Sequence, residues 1–134
     1  MPSAVLNVAD FTDEIHPEPV YQALLDKGVF AYQRCDVSAD AFFPPRWLCP
    51  VCGSDKYTWE RSAGEGTVYS ATTLSPRNKE PYVVGLIDVD EGFRLMSNVV
   101  GLPVEDVTIG MRVSVQFKDV EDRGAIPQFV KVDA

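Results

Sequence analysis

Histidine, cysteine and positive charge are all scarce in this chain, and no apolar run is long. There is one histidine, His16, and it sits among prolines in His16-Pro17-Glu18-Pro19, so Cys–His or Ser–His nucleophilic catalysis has no evident base. Three cysteines are too few and too odd a number for a disulfide framework. The longest apolar stretches, such as residues 83–87, fall well short of the ~20 residues a membrane span needs. The amino terminus shows no basic segment followed by an apolar core. The expected setting is therefore the reducing cytoplasm, with no membrane partner. Twelve basic residues face twenty acidic ones, for a net charge of −8. Binding to nucleic acid relies on cations that displace counterions from phosphates, so a nucleic-acid partner is not expected.

The 134 residues are 46% apolar, enough for a modest core in one domain or two very small modules. Charge is unevenly spread: residues 41–80 carry five bases against four acids, while both flanking segments are strongly acidic. An anionic ligand would meet least repulsion in that middle third. The acidic clusters around Asp88 and Asp119 read as solvated hairpin tips.

Cys49-Pro50-Val51-Cys52-Gly53 is a CPxCG turn, in which two thiolates converge on one metal and the glycine takes a backbone conformation closed to other residues. Cys35 lies fourteen residues upstream, the usual place for the first knuckle of a zinc ribbon, but the fourth position there is Ser38. Cys35, Cys49 and Cys52 thus make three quarters of a four-cysteine site. Asp36, Asp40 or water is left to complete the shell. Equally, the ribbon would stand without metal, held by Phe42, Phe43, Trp47 and Trp59.

Val20, Tyr21, Leu24 and Leu25 form one apolar helical face, and Gly28 ends it. The residues before it, 5–15, read as a loosely packed arm. Strands are expected over 29–34 and 56–61, separated by the proline-rich run Phe42-Phe43-Pro44-Pro45-Arg46-Trp47. Beyond Gly64 the pattern turns to β, with strands over 67–74, 82–89, 93–100, 111–118 and 126–132. Residues 82–89 are nearly continuous in apolar side chains, which suggests burial on both faces. Five short, mostly hairpin-linked strands suit a small barrel of the OB type.

These segments carry a family resemblance. Tyr32-Gln33-Arg34-Cys35, Phe43-Pro44-Pro45-Arg46, Cys49-Pro50-Val51-Cys52-Gly53 and Gly64-Glu65-Gly66-Thr67-Val68-Tyr69-Ser70 occur in this order. Pro81-Tyr82-Val83-Val84, Gly92-Phe93-Arg94-Leu95 and Ile109-Gly110-Met111 continue the match. Together they resemble the rubredoxin-like zinc-ribbon plus OB-fold family, a domain of unknown function associated with acyl-CoA metabolism, over residues 17–132. The resemblance implies a mainly β fold: a short N-terminal helix, a rubredoxin-like zinc ribbon, then a five-stranded OB-fold barrel. The expected divisions are 1–28 for arm and helix, 29–61 for the ribbon-like module and 62–134 for the OB-fold domain.

The resemblance also implies a role beside an enzyme. Members of the family look like non-catalytic small subunits of thiolase-fold proteins: thiolases, acyltransferases and retro-aldolases. The expected assembly is a hetero-oligomer that processes an acyl-CoA, with no catalytic residue in this chain. Zinc at Cys35, Cys49 and Cys52 is the expected cofactor, and the CoA thioester is the ligand of the complex. Candidate cations for the CoA phosphates are Arg46, Arg61, Arg77 and Lys79. Phe42, Phe43 and Trp47 are the candidate partner-facing residues, with Phe42 expected outermost. The alternatives are a single-stranded nucleic-acid binder of the OB type and a self-standing acyl-CoA-binding protein.

Overall fold

Proline at the first helical turn and glycine just past the last one delimit helix α1, Pro17–Asp26, in a computed structural model that describes residues 5–132. Its apolar stripe buries Pro17, Val20, Leu24 and Leu25. Gly28 N–H and Val29 N–H return to the Leu25 and Leu24 carbonyls, which closes the helix end.

Strands β1 (Ala31–Cys35), β2 (Ala41–Phe42) and β3 (Tyr57–Arg61) form an antiparallel sheet in the order β2-β1-β3. Gln33 lies opposite Phe42 on one side and Trp59 on the other. Val20 and Leu24 of α1 pack with Val29, Ala31 and Trp59 to form the core beneath this sheet. Residues 5–15 are more firmly held than a loose arm. Val5 bridges to Glu60, Leu6 N–H bonds the Trp59 carbonyl, Leu6, Val8 and Phe11 join the same core, and the Lys27 ammonium reaches the Phe11 carbonyl. The sequence of this arm has no periodicity because only Val5 and Leu6 bond β3 and a single 3-10 turn, Val8–Asp10, follows.

Strands β4 (Glu65–Leu74), β5 (Tyr82–Val89), β6 (Phe93–Val100), β7 (Arg112–Val120) and β8 (Gly124–Lys131) close into a barrel in the order β4-β5-β6-β8-β7. All contacts are antiparallel except β6–β8, which is parallel through Val99 and Val100. This is the expected mainly β architecture with one short helix. Gly66 allows β4 and β5 to cross closely, since a Cβ there would lie 2.6 Å from the Asp88 carbonyl oxygen. Residues 82–89 are not buried on both faces as expected. Val83, Ile87 and Val89 point into the barrel, while Tyr82 is exposed and Val84 and Leu86 are half-buried on the outer face.

The ribbon and the barrel share packing. Leu25, Phe30 and Tyr32 belong to one cluster with Val68, Ile87, Phe93, Val99, Val113 and Phe129. Tyr32 stacks on Phe93 at 4.9 Å and Phe43 does so at 5.6 Å. Between the two sheets, the Glu91 carboxylate accepts bonds from the Ser62 hydroxyl and the Ala63 N–H and so pins the connection. On the far side, Asp26 accepts from the Ala125 N–H and Gln22 donates to the Ala125 carbonyl, which fastens α1 to β8.

Candidate metal centre

Two turns of the same construction face each other at the tip of the ribbon. In the second, Cys49 N–H bonds the Ser54 carbonyl, Gly53 N–H returns to the Cys49 carbonyl, and Gly53 has φ +76°. In the first, Cys35 N–H bonds the Asp40 carbonyl, Ala39 N–H returns to the Cys35 carbonyl, and Ala39 has φ +66°. The knuckle backbone is thus the same in both, although alanine replaces the glycine. Ser38 occupies the position in the first turn that Cys52 occupies in the second.

The three sulfurs lie within 4.8 Å of one another, and Cys35 Sγ is 3.5 Å from Cys52 Sγ. Two thiolates on one tetrahedral ion with bonds of ~2.3 Å stand ~3.8 Å apart, so the cluster has the size of a metal site. Backbone N–H groups of Ser38 and Val51 donate to Cys35 Sγ and Cys49 Sγ, at 3.3 and 3.4 Å. Hydrogen bonds from the hydroxyl and N–H of Ser38 hold the Cys35 thiol down to about 6. Cys52 accepts from the Ser54 amide, which favours its thiolate, yet the neighbouring Cys35 and burial push its thiol upward overall. The hydrogen bonds around Cys35 thus favour its thiolate, the form that binds a metal.

No His, Asp or Glu joins this cluster among the described residues. Asp36 is turned to β3, where it accepts a 2.7 Å bond from the Thr58 hydroxyl. The group nearest the fourth vertex is Ser38 itself, with Oγ 3.6 Å from Cys49 Sγ. Three sulfurs and one hydroxyl can hold a metal ion.

Phe42 does not face outward. It is 4% exposed, packs with Cys35 and Cys49, and meets Tyr57 edge-on at 6.2 Å, because its place opposite Gln33 turns it under the knuckles. Phe43 points the other way, against Phe93 and Tyr21. Trp47 is 51% exposed, Leu48 after it is exposed too, and so are Val37 and Val51, which occupy the third position of the two knuckles. Leu48, Val37 and Val51 were missed in the sequence. For Val37 and Val51 the signal was available, since a residue in the middle of a tight knuckle has no core to enter.

The candidate cations do not share a hollow. Arg46 lines a groove of about 370 Å³ with His16, Pro17, Pro45 and Trp47, in which His16 meets Trp47 edge-on at 5.6 Å. Arg61 lines a separate hollow of about 240 Å³ with Phe30, Ser62, Val115 and Phe117. Arg77 and Lys79 are exposed on the β4–β5 connection and line neither.

This arrangement of ribbon, helix and barrel has relatives. Residues 59–118 match the family described as "ChsH2, C-terminal OB-fold domain". A "DUF35 domain-containing scaffold protein" of Methanocaldococcus jannaschii is 33% identical over 97 residues, which cover 68% of this chain and 69% of that protein. The chain belongs to the DUF35 family. It is also 35% identical over 101 residues to the "Probable enoyl-CoA hydratase alpha subunit" of Thermomonospora curvata. That match covers 72% of this chain but spans only about a third (32%) of that longer protein. Among solved structures, a chain of the "Ltp2-ChsH2(DUF35) aldolase" superposes with a TM-score of 0.77 at 28% identity, covering 90% of this chain and 98% of that one. A DUF35 protein of unknown function from Sulfolobus solfataricus shares the fold, with a TM-score of 0.55 at 19% identity over 68% and 70% of the two chains.

Proposed function

We propose that this protein is a non-catalytic small subunit of an acyl-CoA-processing complex, where it docks on and stabilises a thiolase-fold enzyme. The observation that carries this reading is the near end-to-end likeness to a chain of the Ltp2-ChsH2(DUF35) aldolase, a complex of two kinds of chain by its name. Relatives called scaffold proteins and an enoyl-CoA hydratase subunit point the same way.

The docking surface is the ribbon, where Val37, Trp47, Leu48 and Val51 are exposed apolar residues and Trp47 shares a groove with Arg46. Aromatic residues and arginine are enriched in such surfaces, and an apolar patch on a rigid turn loses little entropy when covered. Zinc in the cysteine cluster fixes the two knuckles, which carry Val37 and Val51. The groove beside Trp47 joins Arg46 to proline and aromatic walls, which suits the uncharged pantetheine arm, while Glu18 in the same lining leaves Arg46 as the single cation to meet a CoA phosphate. Arg61, Arg77 and Lys79 remain secondary candidates for the phosphates. Among the described residues no helix is long and apolar enough to cross a membrane, and three free thiols suit a reducing cytoplasm.

Co-expression with a thiolase-fold enzyme encoded beside it tests the reading. The two should co-elute, and the enzyme's activity on CoA thioesters should depend on the small chain. A chain that stays alone, and either turns over CoA thioesters unaided or binds single-stranded oligonucleotides in a salt-dependent way, would overturn it. Arg46→Glu should weaken acyl-CoA use by the complex without unfolding the chain, and unchanged kinetics would remove Arg46 from the CoA path.

A further inference from the structure

We propose that the cysteine cluster is a three-thiolate metal centre whose fourth vertex, at Ser38, is open to a small thiol from solution. The proposal rests on reading the cluster as a metal site, and its test is built to separate the two.

The geometry places the opening. An oxygen ligand completing a tetrahedron would stand ~3.5 Å from a thiolate sulfur, given bonds of ~2.0 and ~2.3 Å. Ser38 Oγ stands 3.6 Å from Cys49 Sγ, on a knuckle that repeats both backbone–backbone hydrogen bonds of the Cys49–Gly53 turn. The position of a fourth ligand is therefore built, but its donor is a hydroxyl. A serine hydroxyl keeps its proton near neutral pH, where a metal readily takes the proton from a thiol, so Ser38 is a weak and displaceable donor.

Nothing else among the described residues competes for the vertex. Among the described residues no carboxylate or imidazole lies in the cluster: Asp36 is engaged by Thr58, and His16 lies against Trp47. Burial sets the direction of access. Cys35 and Cys49 are packed on Phe42, whereas Cys52 is exposed and Ser38 is half-exposed, so the open side of the ion faces solvent.

Softness, against an unfavourable charge, sets the class of ligand. A divalent ion with three thiolates carries one net negative charge, against two for a four-thiolate site. A fourth thiolate then completes the arrangement that soft d¹⁰ ions take in closed sites. The incoming thiol delivers its sulfur to the metal and its proton to solvent, and Ser38 leaves the vertex still protonated. No oxidation is involved.

Cobalt(II) is the probe, because its charge-transfer band reports the number of bound thiolates and its visible bands report tetrahedral geometry. The full-length protein, freed of metal and kept in a phosphine reductant so that no other thiol is present, is titrated with cobalt(II) and then with 2-mercaptoethanol. The expected result is one bound cobalt, with charge-transfer intensity rising by about a third when the thiol enters, as three thiolates become four. Ser38→Ala should keep this response. Ser38→Cys should show the four-thiolate spectrum from the start, bind cobalt at least about tenfold more tightly and ignore added thiol. Cobalt binding with a wild-type spectrum that the thiol does not change would overturn the open vertex and leave the metal reading standing. Failure of both wild type and Ser38→Cys to bind cobalt would overturn both.

Discussion

The side chain of Gln33 pairs with both backbone groups of Arg46. Its Oε1 accepts the Arg46 N–H at 2.9 Å and its Nε2 donates to the Arg46 carbonyl at 2.7 Å, so a buried amide acts as one more rung of sheet. Phe43-Pro44-Pro45-Arg46 cannot pair as a strand there, because proline has no N–H to give. Gln33 is the substitute, and it fixes the direction in which Arg46 and Trp47 leave the ribbon.

Gln33→Leu keeps the volume and deletes the pairing. Two backbone groups then lose their partner in a partly buried position, and the chain should lose about 2 kcal/mol of stability. Urea unfolding checks this. A change below ~0.5 kcal/mol would mean that water replaces the amide without loss.

A second prediction concerns Ala39. Its φ of +66° places Cβ in a region that costs an L-residue ~1 kcal/mol or more, and the equivalent residue of the other knuckle is Gly53. Ala39→Gly should therefore stabilise the protein by roughly 0.5–1 kcal/mol, read as a higher midpoint in urea. Gly53→Ala should destabilise by a similar amount. Glycine is favoured at 53 on conformation alone, since nothing lies within 4 Å of where its Cβ would stand.

Much of this architecture is legible in the residues. Turns and runs of β-branched and apolar residues place the five barrel strands, and over 111–118 strict alternation also shows which face enters the core. The helix face and its glycine terminator read equally well. Other features depend on which parts of the chain meet, and local pattern does not carry that. Residues 5–15 are held by hydrogen bonds to β3 and packing on α1, which leave no period. Phe42 and Phe43 look alike in sequence, yet a two-residue strand turns one beneath the knuckles and the other onto the barrel. The cysteine spacing locates the candidate centre, but only the fold shows that Ser38 keeps the knuckle geometry of the missing ligand.

The third prediction is a pH dependence. Arg112 grips Asp90 with two bonds of 2.7 Å, and this holds the Asp90 carboxyl below its ordinary value of 3.8. A carboxyl depressed in the folded state stabilises above its unfolded pKa, and that stabilisation is lost as the pH falls through the folded value. Both groups are about half-exposed, so solvent screens the pair and its contribution is small. Asp90→Asn should thus be slightly less stable than wild type at neutral pH, and the gap should close as the pH falls through the depressed folded value of Asp90. Unfolding curves at several pH values would show it, and a gap that persists in acid would assign the effect to something other than this charge.

The last prediction separates core from surface on the Phe42–Trp47 segment. Phe42 is enclosed by Cys35, Cys49 and Tyr57, so Phe42→Ser removes a large buried group and leaves a hydroxyl in its place. The isolated chain should lose ~3 kcal/mol or more, and its metal affinity should fall with it, because the floor of the cluster is gone. Trp47 is half-exposed and meets His16 only at its edge, so Trp47→Ala should leave the isolated fold within ~1 kcal/mol of wild type. If the ribbon is the docking surface, the same change should cost ~2 kcal/mol of affinity for the thiolase-fold partner, as a central aromatic does when truncated. Thermal unfolding of each variant alone, beside titration calorimetry with the partner, gives the two readouts. A Trp47→Ala variant that binds as well as wild type would move the docking surface to the outer face of β4–β6, where Tyr69, Leu74, Tyr82 and Met96 are also exposed.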